Sequence, residues 1–197
     1  MRSLYNKVRA VEKLYKELSK SGAAFKEKAG YDCIKGCSAC CQKADIEATI
    51  LEFLPLAYYA FRDGRADELY NKFKNSDDSS ICGNYNPFLT EINGGACSEY
   101  VHRGMICRLF AFSAITNKAG LKQLVACKTI KTEFALSYEI AQKNINISLK
   151  VPMMNEYYMR LYNIDPSLAT KYYPINEAIL RSLEYVMMYY SFRRKRA

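Results

Sequence analysis

Leu4, Val8, Val11, Tyr15 and Leu18 fall four and three residues apart. This spacing predicts an amphipathic helix over 4–18, with Ser3 as its N-cap. A polar break is expected over 22–30, where Gly22 and Gly30 stand among charged residues. Over 31–41, Gly36, Ser38 and four cysteines suit a tight ligand loop better than a helix. Thr49 and Glu52 then form a capping box ahead of Ile50, Leu51, Phe53, Leu54, Ala57 and Phe61. Asp63-Gly64 should stop that helix, and Pro55 should kink it. A short helix is expected over 66–73, carrying Leu69, Tyr70 and Phe73 on one side.

Periodicity fades over 75–107, a stretch rich in Asn, Ser, Asp and Gly that includes Asn93-Gly94-Gly95. A structureless loop of that length is unusual inside a compact domain unless something other than secondary structure organises it. Metal ligation would do so, because Cys82, Cys97 and Cys107 lie in it or at its end. A short strand is expected over 121–125, and helical spacing returns over 131–142, 153–161 and 176–192, divided by Pro152, Pro166 and Pro174. No repeat or linker is visible. The expected fold is mainly α: a single domain over 1–197, with helices around an irregular cysteine-rich metal-binding core at about 31–128 and at most a short strand pair.

Composition narrows the function. The chain has 197 residues, half of them apolar, so a core needs no covalent staples. Lys and Arg exceed Asp and Glu by 29 to 20, for a net charge of +9, but the basic residues are spread out. Only Arg193-Arg194-Lys195-Arg196 concentrates charge, and it reads as a solvated terminus. Nucleic acid is therefore a disfavoured partner. The apolar stretch 50–61 is interrupted by Glu52 and Pro55 and is too short to cross a bilayer, so no membrane association is expected. The first residues show no secretory leader, which suggests a cytoplasmic protein. In a reducing compartment eight cysteines point to metal ligation, a cluster or redox chemistry before disulfides. A protein partner or substrate is left open.

Cys33, Cys37, Cys40 and Cys41 occupy nine residues; Cys82, Cys97, Cys107 and Cys127 follow singly. Cysteines two or three residues apart can converge on one centre because the turn between them points their side chains the same way. Neighbours such as Cys40 and Cys41 tend to point apart, so the second can face another centre or the core. Structural zinc takes four thiolates, often as two short pairs, and eight cysteines could supply two such sites. An iron–sulfur cluster also takes four, and it can draw in ligands as remote as Cys82, Cys97 and Cys107. The spacing Cys33-x3-Cys37-x2-Cys40 equals that of radical S-adenosylmethionine enzymes. Their partial barrel needs a strand–helix alternation that this chain lacks.

Two segments carry a resemblance: Cys33 to Cys41, ending in the adjacent pair, and Cys97-Ser-Glu-Tyr100-Val-His-Arg103-Gly-Met-Ile-Cys107-Arg108-Leu-Phe110. They resemble a family named for its CxxCxxCC motif and taken to chelate zinc or iron, which includes YkgJ-like proteins and the cysteine domain of flagellin lysine N-methylase. Its second motif reads Cys-x2-Tyr-x2-Arg-Pro-x2-Cys-Arg-x-Phe. Here three residues separate Cys33 from Cys37, and Gly104 replaces the proline, so a looser turn is expected before Cys107. The resemblance implies that the eight cysteines bind an iron–sulfur cluster, with [4Fe–4S] favoured, or zinc. It also raises the alternative of a lysine methylase using S-adenosylmethionine, although no glycine-rich nucleotide loop is present. Arg103 and Arg108 flank Cys107 closely enough to donate to sulfur, and Tyr100 and Phe110 could shield the centre from water. His102, the sole histidine, is expected to be no ligand.

Overall fold

The computed structural model describes residues 3–34, 37–75, 81–89 and 97–194. The tail residues 195–197 and the turn at Asn93-Gly94-Gly95 lie outside them. Helix α1, Leu4–Ala29, begins where Ser3 accepts the Asn6 N–H and ends at Gly30, whose φ of 69° supplies the left-handed cap. The expected break at Gly22 does not occur. One glycine costs a helix only about 1 kcal/mol, whereas Phe25 and Ala29 continue the buried face begun by Leu4, Val8, Val11 and Leu18. That extra length matters because the described core has two parts, and α1 runs through both: Leu4 to Leu18 in the first, Phe25 and Ala29 in the second.

Strand β1, Glu47–Thr49, leads into a 3-10 turn at Ile50–Phe53 and then α2, Leu54–Arg62. Pro55 kinks nothing, since it stands in the first turn of α2, where its missing N–H has no partner to lose. Helix α2 is buried at Leu54, Pro55, Leu56, Ala57, Tyr58 and Ala60 and so forms the centre of the first core. Helix α3, Ala66–Lys74, turns Leu69 and Phe73 inward. The long segment beyond it holds two 3-10 turns, Pro87–Leu89 and Tyr100–His102, and the short helix α4, Met105–Leu109.

Strands β2, Ala114–Thr116, and β3, Lys122–Leu124, make an antiparallel hairpin, placing the expected strand at 121–125. Asn117 closes its turn by accepting from the Ala119 and Leu121 N–H groups. Next come α5, Lys128–Glu133, and α6, Ala135–Asn144, which divide at Phe134 the helix expected as one piece. Helices α7, Met154–Tyr162, and α8, Pro166–Ala169, lead to β4, Tyr172–Pro174, which pairs antiparallel with β1. The last helix, α9, Ile175–Arg194, lays Ile175, Ala178, Ile179, Leu183 and Val186 along one buried stripe against α2 and α3. The fold is mainly α, with two three-residue strand pairs among the described residues. No helix among the described residues is long and apolar enough to cross a membrane.

One ion pair joins the ends of the chain. Lys7 Nζ lies 2.5 Å from Asp165 Oδ2, with side chains only 5% and 11% exposed. Lys7 also donates to the Tyr185 hydroxyl at 2.8 Å, and Asp165 caps α8 by accepting the Ser167 N–H. Removing one member of a buried pair strands the other charge away from water. Lys7→Met is therefore expected to cost about 3 kcal/mol in urea unfolding; a loss under about 0.5 kcal/mol, the range of an ordinary surface change, would contradict this.

Candidate metal centre

The thiols ride on irregular segments that are pinned individually. After α1, Lys26 reaches 2.6 Å to Asp32, which accepts the Cys33 N–H at 2.6 Å. In the expected ligand loop, of which residues 35 and 36 lie outside the described residues, Cys37 N–H donates to the Ile34 carbonyl and Cys41 N–H to the Ser38 carbonyl. Cys82 N–H donates to the Cys41 carbonyl at 3.3 Å. Asn176 of α9 brackets Cys82: its Oδ1 accepts from Gly83 N–H at 2.8 Å and its Nδ2 donates to the Ile81 carbonyl at 3.1 Å. Cys97 forms a bridge with Tyr85, and next to it Ser98 N–H donates to the Asn84 carbonyl. Arg65, ahead of α3, holds Glu99 at 2.7 Å. Cys107 lies within α4, and Cys127 caps α5 by accepting the Ile130 N–H on sulfur at 3.4 Å.

Glu52 sets the position of α4. Its carboxylate accepts from the Thr49 N–H at 2.9 Å, which makes the capping box, and from the Ile106 N–H at 2.8 Å. Tyr15 of α1 donates to the Glu52 carbonyl at 2.6 Å. Burial pushes the Glu52 carboxyl up to about 7, against the pull of these donors. Gly104 precedes α4 with φ −60°, the value a proline would fix, so the turn is set without one. A Cβ at 104 would lie 2.7 Å from the Phe53 ring and 3.4 Å from the Glu52 carboxylate. Phe53 and Glu52 fill the space that a side chain at 104 would take.

Two adjoining cavities result. One, of about 60 Å³, is lined by Cys40, Cys41, Cys82, Cys97 and Cys107 together with Ile46, Ile106 and Ile175. The other, about 200 Å³, is lined by Cys33, Cys37, Cys40, Cys107 and Cys127 beside Lys26 and Asp32. Tyr100, Arg103 and Phe110 belong to both walls. All eight cysteines thus reach this one region, although they come from segments almost a hundred residues apart. Burial pushes the Cys33 thiol up to about 12 and Cys82 up to about 11, and it raises Cys107 as well. A hydrogen bond between the neighbouring thiols holds Cys40 down and Cys41 up.

Arg103 lies within electrostatic reach of Cys40, Cys97 and Cys107. Its guanidinium lies 4.2 Å over the Tyr100 ring, and its buried Nε has no hydrogen-bond partner among the described residues. A buried donor left unpaired costs about 1–3 kcal/mol, and thiolates or inorganic sulfide in the cavity would satisfy it.

Residues 32–133, just over half of the chain, match the model of a family described as "CxxCxxCC: Putative zinc- or iron-chelating domain". The chain belongs to that family. No curated protein and no solved structure matches it.

The CxxCxxCC region supplies a donor set that fits zinc or iron: eight thiols, and a cationic donor in the shared wall that is unpaired among the described residues. Arg108 lines neither cavity. It lies over the Tyr15 ring at 4.6 Å and donates to the Val101 and Arg103 carbonyls, steadying the turn that carries Arg103. His102 also lines neither; it stacks on Tyr59 at 4.8 Å. Sequence reading missed Asn176 and Phe53 as supports, and it took Glu52 only for a capping residue. Asn176 carried no signal, because its partners lie more than ninety residues away.

Two expectations test these supports. Gly104→Ala should lower stability by about 1–3 kcal/mol through overpacking, and combining it with Phe53→Leu should cost less than the sum of the single changes; strict additivity in urea unfolding would exclude the contact. The second concerns Glu52. The unfolded chain releases the Glu52 proton near 4.5, whereas the folded chain keeps it to about 7. Wild-type stability should therefore fall as pH rises through that window, by about 3 kcal/mol at most. Glu52→Gln should flatten the slope, and an unchanged slope in the variant would refute this origin.

Proposed function

We propose that the chain is a cytoplasmic iron–sulfur protein whose eight cysteines hold [4Fe–4S] chemistry and whose role is redox or catalytic. What supports a cluster over a single ion is the spread of the thiols. Zinc with metal–sulfur bonds of about 2.3 Å would bring its sulfurs within about 4 Å of one another. Among the described residues no three Cys, His, Asp or Glu side chains converge in that way. The thiols instead line two adjoining cavities, of about 60 and 200 Å³. A cubane carries its four thiolates on four separate irons and so spreads them around a larger centre.

When bound, such a cluster would supply one-electron transfer. The residues around it have distinct tasks in this reading. Ile46, Ile106, Phe110 and Ile175 keep water out. Arg103 donates from Nε toward sulfur and offsets thiolate charge, which raises the reduction potential. Arg108 and Glu52 hold in place the backbone that carries Arg103 and Cys107.

Protein purified anaerobically is expected to contain iron and acid-labile sulfide, with a broad absorption near roughly 400 nm. Cys40→Ser and Cys107→Ser should each lose metal, while His102→Ala should retain it. Colourless protein with stoichiometric zinc would overturn the cluster in favour of a structural zinc module, and equal metal content in all three variants would overturn the ligand assignment.

A further inference from the structure

The two cavities divide the cysteines unevenly enough to be counted. Cys41, Cys82 and Cys97 line only the first. Cys33, Cys37 and Cys127 line only the second. Cys40 and Cys107 stand in the shared wall. Thiolate centres of either metal take four ligands, so each trio needs one more, and two cysteines remain to complete them.

Packing decides which goes where. Cys107 and Cys82 both pack against the first hydrophobic core, the one built on α2 and α9, whereas Cys127 packs against the second, built on the hairpin and α6. Backbone contacts agree with this: Cys82 N–H bonds to the Cys41 carbonyl, and Tyr85 joins Cys82 to Cys97, donating its own N–H to the Cys82 carbonyl and bridging to Cys97. Cys33 is hydrogen-bonded to Cys37 and lies within electrostatic reach of Cys40 and Cys127.

Resting on the reading above, we propose that the chain holds two four-thiolate centres side by side: an inner one on Cys41, Cys82, Cys97 and Cys107, and an outer one on Cys33, Cys37, Cys40 and Cys127. The adjacent Cys40 and Cys41 send one ligand to each. Two net-negative centres sharing a wall repel each other, and Arg103, whose buried Nε is unpaired among the described residues, stands in that wall. The centres also differ in surroundings. Three isoleucines line the inner one, while the exposed Cys33, Lys26 and Asp32 border the outer.

Metal and acid-labile sulfide per chain decide the matter. Wild-type protein purified anaerobically should hold two centres, about eight irons as paired cubanes or two zinc ions if the metal is zinc. Cys97→Ala and Cys127→Ala should each halve the metal, and the double variant should remove it. A single centre per wild-type chain, abolished by either substitution, would overturn the partition while leaving metal binding intact. Protein with no zinc or iron would overturn the metal reading itself. The wild-type stoichiometry needs no variant, so misfolding of Cys97→Ala does not spoil the test. A chelator or ferricyanide should further remove metal in two phases, with Cys127→Ala lacking the fast one; a single phase in wild type would count against an exposed outer centre.

Discussion

A carboxyl group in the core, Glu52, is the point on which the arrangement turns. It closes the capping box at Thr49, accepts from the first turn of α4, and has its own carbonyl tied to Tyr15 of α1. Burying a carboxyl without partners is costly, so the Ile106 N–H that it takes as one of its donors also fixes where Cys107 must lie. Gly104 completes the device. Without a Cβ, it lets Phe53 and Glu52 close against the chain just before α4. A helix of five residues would not hold itself in place.

The cysteine segments depend on anchors of this kind because they have little regular structure of their own. Asn176 reaches from α9 to both sides of Cys82, Arg65 reaches from just ahead of α3 to Glu99 near Cys97, and Lys26 of α1 fixes Asp32 beside Cys33. Each anchor stands in, or at the start of, a helix that also packs into a hydrophobic core. The cores thus position the thiols, and the thiols in turn need only a short reach to a metal. In CxxCxxCC proteins a bound metal would add its binding energy to folding, since the unfolded chain offers no preformed site.

The length of α1 connects the two halves of this design. By continuing through Gly22 to Ala29 it supplies Phe25 to the second core and Lys26 to the edge of the outer cavity. A helix stopping at Leu18 would leave the hairpin, α5 and α6 without that support, and Cys127 with them. The shared wall, with Tyr100, Arg103 and Phe110 facing both cavities, is then the place where the halves meet.

Much of this was legible in order along the chain. Apolar residues three and four apart marked the helices, the capping box and Asp63-Gly64 marked the ends of one segment, and the crowded Cys33 to Cys41 run with Cys97 to Phe110 marked the chemistry. These signals are local, so a sequence carries them whatever the rest does. What periodicity could not show was which cavity each thiol faces, why Gly104 stands before α4, or that Arg108 supports Arg103 from behind. Those follow from contacts between residues tens of positions apart, as between Glu52 and Ile106 or Asn176 and Gly83. Spacing along the chain names the groups that can bind a metal; only the closing of long loops, driven by burial of the two cores, decides which of them meet.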